Sequence, residues 1–267
     1  MTLIRDSILK KAVRDGVLHR GTLRICNFSK SLDNDIDVSP AGGFIDFLKG
    51  MDVIKEEYAK KGFVKKNRAL FLYNEGLVDK NSTLLLARKG DRVLGTIGVI
   101  REKNNKLPCS KLFAEELQTL NLQHRQVTEI GALSIKSDAG TENLVFMLYL
   151  KTMMYAIFVD KVDDIVVQVR EKVAAFYIRN LLFEQIGATK IHPDYGNIHT
   201  CLLRVDVKAI REKIYEKPQY GTRGWIRILH ELGLLAEYKK TCHQSWLCNK
   251  FTLDKKDAEL YHYLCHL

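Results

Sequence analysis

The residue whose type and setting most point to chemistry is Glu129. It stands in V-T-E-I-G-A-L-S-I-K, a run from Val127 whose composition predicts a strand. On period two it shares a face with Val127, Leu133 and Ile135. Acidic side chains are almost never fully buried unless paired. A carboxylate on an apolar strand face is desolvated, holds its proton more tightly than in water, and so suits proton transfer. The other reading is a Glu paired with an Arg or Lys in a sheet network. A second group of reactive types comprises Cys242, His243, Cys248, His262, Cys265 and His266. Its spacing, C-x5-C then H-x2-C, is not that of a zinc knuckle, so buried cysteines and surface histidines are expected and no metal site. No H-E-x-x-H, triad context, Walker loop or dinucleotide fingerprint is present.

The elements around Glu129 must hold it in place. N-L-V-F-M-L-Y-L-K-T-M-M-Y-A-I-F-V, ending at Val159, is too long and too evenly apolar for a strand and predicts a helix buried against a sheet. Ser137 to Glu142 is the loop that feeds it. Residues 164–169 form another apolar strand, 172–183 a helix, and 188–191 and 200–207 two more strands. Upstream, residues 1–15 predict a helix, 22–28 a strand, 29–43 a loop and 44–61 helix closed by Gly62. Residues 82–88 and 92–101 predict a hairpin across Lys89-Gly90-Asp91. A helix from Ser110 to Gln123 buries Leu112, Phe113, Leu117 and Leu120. After Val207 the chain reads as helices over 208–216, 223–238 and 254–265, the last capped by Asp254 or Thr252. Alternating strands and helices predict an α/β fold, a mixed sheet with helices on its faces.

The chain has 267 residues, six cysteines and a net charge of +10. That length allows one large domain or one domain with an appendage. Scattered cysteines point to free thiols. The first residues carry charges too often for a signal peptide, and Lys151 interrupts the longest apolar run, so no membrane span and a cytoplasmic location are expected. Excess positive charge either attracts an acidic partner or solvates the surface.

Three strings, in order, resemble the long-chain N-acyl amino acid synthases, a branch of the GNAT-like acyltransferases related to acyl-homoserine lactone synthases. They are T-L-L-L-A-R-K-G-D-R-V-L-G-T-I-G-V from Thr83, L-P-C-S-K-L-F-A-E-E-L from Leu107 followed by E-I-G-A-L-S-I from Glu129, and V-A-A-F-Y-I-R-N-L-L-F-E-Q-I-G from Val173. The resemblance covers roughly residues 50–207, and the order of the strings is more specific than any one of them. Three positions depart from the family pattern: Ala132 stands where an Arg is usual, Arg170-Glu171-Lys172-Val173 replaces Asn-Pro-x-His, and Leu182 replaces a Gly before Phe183.

The resemblance implies a GNAT-like domain over 1–207, with a helical C-terminal extension over 208–267. Its sheet would splay between the strands 127–136 and 164–169. It also implies transfer of a fatty acyl group from a phosphopantetheine-linked thioester to the α-amine of an amino acid, with no permanently bound cofactor. Glu129 would be the base and Tyr177 the acid for the leaving thiolate, and backbone N–H groups around Leu133, Ser134 and Ile135 would meet the pantetheine arm and the oxyanion. The loop S-D-A-G-T-E-N has one Gly and two acids where CoA users carry a Gly-rich phosphate loop, which favours an acyl carrier protein as donor. Lys136, Arg170 and Lys172 would dock that acidic carrier. Three other readings stay open: a CoA-dependent acyltransferase, a non-catalytic acyl or carrier binder, and a nucleic-acid binder. The last rests on charge alone, with no aromatic–basic motif, so no nucleic-acid partner is expected.

Overall fold

The computed structural model describes residues 36–64, 69–102, 106–120, 124–139, 144–213 and 251–267. The helices expected over 1–15 and 223–238, the strand over 22–28, and Gly140 to Asn143 of the loop before the buried helix lie outside them. So do Cys26, Cys242, His243 and Cys248.

Seven strands form one sheet in the order β1-β2-β3-β4-β5-β7-β6. They are β1 (Ile36–Pro40), β2 (Thr83–Lys89), β3 (Arg92–Arg101), β4 (Val127–Ile135), β5 (Asp164–Arg170), β6 (Glu184–His192) and β7 (Ile198–Asp206). Only β4 and β5 run parallel; every other neighbouring pair is antiparallel. The expected hairpin is β2–β3, turned at Gly90, whose φ of 56° only a residue without a Cβ takes freely.

Helices α1 (Phe44–Lys60), α2 (Glu75–Val78) and α3 (Ser110–Thr119) cover one face. The other face carries α4 (Leu144–Met154), α5 (Glu171–Asn180) and α6 (Val207–Lys213). Strand residues sort between the faces by alternation. Leu84 and Leu86 face α1, whereas Leu85 and Ala87 face α4. As its composition predicts, α4 is buried; it crosses β1, β2 and β3 and continues through a π-helical turn, Tyr155–Val159, into β5. The last helix, α7 (Lys255–His266), is capped by Asp254, whose Oδ1 accepts from the Asp257 N–H at 2.8 Å. It packs on the first face: Tyr261 is fully buried, edge-on to Phe47 of α1 at 5.1 Å, and its hydroxyl donates to the Leu72 carbonyl. No helix among the described residues is long and apolar enough to cross a membrane.

Four differences from the sequence reading have local causes. The supposed loop contains β1, an edge strand too short for its Val38–Pro40 alternation to stand out among turn residues. Helix α3 ends at Thr119 rather than Gln123 and buries only Phe113 completely; Leu112, Leu117 and Leu120 are half-buried. Helix α5 stops at Asn180, because Leu182 turns left-handed. The fourth concerns the face Glu129 occupies. Thr96 of β3 pairs with Ser134, but Gly98 pairs with Gly131, so β4 carries one extra residue, and Ala132 there has φ 51°. This bulge inverts the alternation beyond it. Glu129 therefore shares its face with Val127 but not with Leu133 and Ile135, which turn towards α4.

Candidate active site

The β4–β5 ladder is short. Val127 to Ile130 pair with Asp164 to Val167, and no pairing follows. Each strand keeps its outer partner to the end: β4 pairs with β3 through Ile135, and β5 with β7 through Arg170. The sheet thus opens like a V, as the resemblance implied. Past Ile130, the edge of β4 that faces the gap has no strand opposite among the described residues, and its backbone N–H groups make no ladder there.

Glu129 sits where the pairing ends, with 3% of its surface exposed. Its partners are neutral. Oε2 accepts from the Cys109 N–H at 2.7 Å, and Oε1 accepts from the Gln168 amide at 2.9 Å. Cys109 caps α3, so Leu107-Pro108-Cys109 delivers a helix N-terminus to the carboxyl. Burial pushes the Glu129 carboxyl above its ordinary 4.5; hydrogen bonds from the Gln168 amide, the Cys109 N–H and the Cys109 thiol pull it down, but less. No Arg or Lys pairs with it among the described residues, so the ion-paired network is not what this carboxyl forms.

Around it lie phenols. Tyr58, on the last turns of α1, has its hydroxyl pushed upward by burial, then by Tyr195, Glu129 and Tyr177. Tyr195, in the β6–β7 turn, is raised by burial and by Glu129. Tyr58, Phe63 and Tyr195 pack edge-to-face with centroids 5.3 to 6.3 Å apart. Tyr177 approaches from the α5 side. It is buried, its ring lies edge-on to Tyr149 at 5.3 Å, and the two hydroxyls are hydrogen-bonded. Burial pushes Tyr177 up to about 12, so it carries its proton at neutral pH. Only one phenol can donate to the other, which leaves one O–H proton of the pair for another acceptor. Tyr58 lies within electrostatic reach of both Glu129 and Tyr177 and so links the two sides of the gap.

The remaining expected site residues divide. Leu133 and Ile135 are half-buried and pack towards α4, whereas Ser134 is buried and turns towards α1, opposite Thr96. Lys136 pairs with Glu56 of α1 at 3.6 Å, and Glu57 accepts from the Ser137 N–H at 3.2 Å, which holds α1 to the end of β4. Arg170 ends β5 with its guanidinium 4.0 Å from the centre of the Phe63 ring. Lys172 is exposed on the first turn of α5. All three cations stand at the open end of the V. Three buried polar atoms at that end have no hydrogen-bond partner: Ser134 Oγ, Gln168 Oε1 and Arg170 Nε. Elsewhere, Cys265 is buried in the α1–α7 core, and His262 stacks on His266 at 4.2 Å.

Sequence reasoning missed Gln168, Tyr58, Tyr149, Tyr195 and the Cys109 N–H. A signal existed for Gln168, a polar residue two positions from Val166 on an apolar strand. Nothing local marks the others, which reach the site through tertiary packing.

The family model described as N-acyl amino acid synthase FeeM matches residues 50–206. Among solved structures, FeeM, an N-acyl amino acid synthase from uncultured soil microbes, aligns with TM-score 0.56 and 18% identity over 65% of this chain and 91% of its own. The acyl-homoserine lactone (AHL) synthase LasI aligns with TM-score 0.51 and 14% identity over 70% of this chain and 98% of its own. At these identities the two structures speak to the fold, which is GNAT-like. Comparison with curated proteins finds no match.

Proposed function

Because this chain belongs to the N-acyl amino acid synthase FeeM family of acyltransferases, we propose that it moves a fatty acyl group from an acyl carrier protein thioester to the α-amine of an amino acid. The observation that carries this reading is Glu129. Among the described residues, a buried carboxyl without a cationic partner sits where two parallel strands part, beside backbone donors that have no strand to bond.

The reaction follows from those parts. The donor's pantetheine arm lies between β4 and β5. Glu129, directly or through a water, takes a proton from the acceptor's ammonium group. The freed amine attacks the thioester carbonyl, and the oxygen gains charge against the N–H groups of β4 around Leu133 and Ser134. Collapse of the tetrahedral intermediate breaks the C–S bond. The thiolate takes the proton offered by the Tyr177–Tyr149 pair; the nitrogen's second proton, lost as the amide forms, passes through solvent to restore that phenol, and Glu129 releases its own proton to water. Lys136 and Lys172 at the mouth attract an acidic carrier protein.

Incubation with dodecanoyl-carrier protein and a mixture of amino acids, followed by mass spectrometry, tests the transfer; absence of any N-acyl amino acid rejects it. The donor is tested separately. Carrier binding should weaken with salt and resist competition by free CoA, and tight CoA binding would replace the carrier with CoA.

A further inference from the structure

Among the described residues, Arg170 is an arginine whose donors are almost idle. A guanidinium has five N–H donors. Here one Nη makes a long bond to the Lys61 carbonyl at 3.4 Å, and Nε is buried with no partner. No carboxylate pairs with it among the described residues. Its guanidinium carbon lies over the Phe63 ring, 4.0 Å from the centre, and an aromatic ring covers a guanidinium without accepting all of its N–H donors. Such an arrangement is built to hold a planar anion through two parallel bonds.

Position says which anion. β5 runs unbroken against β7, so Gln168 and Arg170 share a face two residues apart, about 6.6 Å along the strand. Gln168 is bonded to Glu129, and its free Oε1 is a buried acceptor. Ser134, across the gap, faces the same side with its hydroxyl unpartnered. The open end therefore presents acceptors, Glu129 and Gln168 Oε1, next to a donor fork at Arg170. An α-amino acid carries its ammonium and carboxylate on one carbon and matches that order. We infer that Arg170 binds the α-carboxylate of the acceptor, while Glu129 and Gln168 receive its ammonium. This assigns Arg170 to the acceptor rather than to the carrier, and it rests on the acyltransfer reading given above.

The inference predicts that the site demands a free carboxylate. N-dodecanoylglycine, the product with the smallest side chain, is compared by calorimetric titration with N-methyldodecanamide, its counterpart lacking the carboxylate. The wild type should prefer the acid by roughly 10–100-fold, the range of a charge-assisted pair. Arg170→Lys keeps the charge and should retain a few-fold preference, whereas Arg170→Met should retain none. Equal binding of both compounds by the wild type, or an undiminished preference in Arg170→Met, overturns the anchor. Turnover separates this from failure of the broader reading. A wild type that acylates a mixture of amino acid amides as fast as the amino acids keeps transfer and loses the anchor. One that prefers the acid in titration but acylates nothing keeps the anchor and loses transfer.

Discussion

At its closed end the β4–β5 pair buries Asp164; where the pair parts, it buries Glu129. Asp164 is inaccessible and faces two arginines. Arg204 Nη2 lies 2.7 Å from Oδ1, and Arg125 reaches both oxygens, its Nη2 also lying 2.9 Å from Asp206. The bond to Asp164, more than any other contact, raises the Arg125 guanidinium. Each acceptor at this end has a cationic donor, and the strands stay zipped. Among the described residues Glu129 has only uncharged donors, the Gln168 amide and the N–H and thiol of Cys109, and beyond it lie three polar atoms with no partner. A buried charge kept for architecture is neutralised, as at Asp164. One kept without a counter-ion, with idle donors beside it, is the arrangement that the proposed site requires.

The sharpest way to break this contrast is to remove each charge in turn. Glu129→Gln keeps the shape and the bonds to the Cys109 N–H and to Gln168, since the Gln168 amide can rotate to offer its oxygen. Acyl transfer should fall by about 10²–10⁴-fold while thermal stability holds. Unchanged turnover would make Glu129 a structural residue like its counterpart. Asp164→Asn should do the reverse. It leaves two guanidinium groups facing a neutral amide and should cost about 3 kcal/mol of stability, read by denaturant unfolding. A loss under about 1 kcal/mol would mean that solvent, not Asp164, satisfies those arginines.

A pH series sharpens the same contrast. The Glu129 carboxyl is raised in the fold above its ordinary 4.5, so the native state holds that proton more tightly than the unfolded chain. Stability from this group is present below the unfolded value and is lost as pH rises through the folded one. Glu129→Gln lacks that loss, so its stability relative to wild type should improve from pH 4 to pH 7. Activity runs the other way, because the base works only when ionised. The acid limb of kcat/KM should lie above pH 4.5, and a limb at or below it would mean burial does not govern this carboxyl.

How far the molecule is legible in its sequence follows the same division. The hairpin, the buried α4 and the strands around Glu129 declare themselves through local periodicity and turn chemistry, and Glu129 stands out as a charge in an apolar run. What the sequence hides is long-range. The bulge at Ala132 follows Gly131, but a lone Gly in a strand does not say how the register shifts, so period two carried past it puts Leu133 and Ile135 on the wrong face. The Cys109 N–H, Tyr58 and Tyr195 come from three separate elements, and only folding brings them to one carboxyl. Arg170 reads as a surface cation until Phe63 is seen beneath it.

Leu182 offers the smallest test, and it separates strain that serves the open end from strain that does not. It follows α5, the helix that carries Tyr177, and adopts φ 62° where the family usually places Gly. An L-residue in that conformation costs about 1–2 kcal/mol, and a Gly there gives back roughly 0.5–1 kcal/mol through its freer unfolded state. The residue is 37% exposed and belongs to none of the buried core clusters, so the packing lost with it is modest. Leu182→Gly should therefore stabilise the fold by about 0.5–1 kcal/mol, a rise of about 1–4 °C in Tm for a chain this long, with turnover unchanged. Turnover that falls as stability rises would show that the left-handed turn sets the reach of Tyr177. The open end would then draw on backbone strain as well as on its unpaired charge.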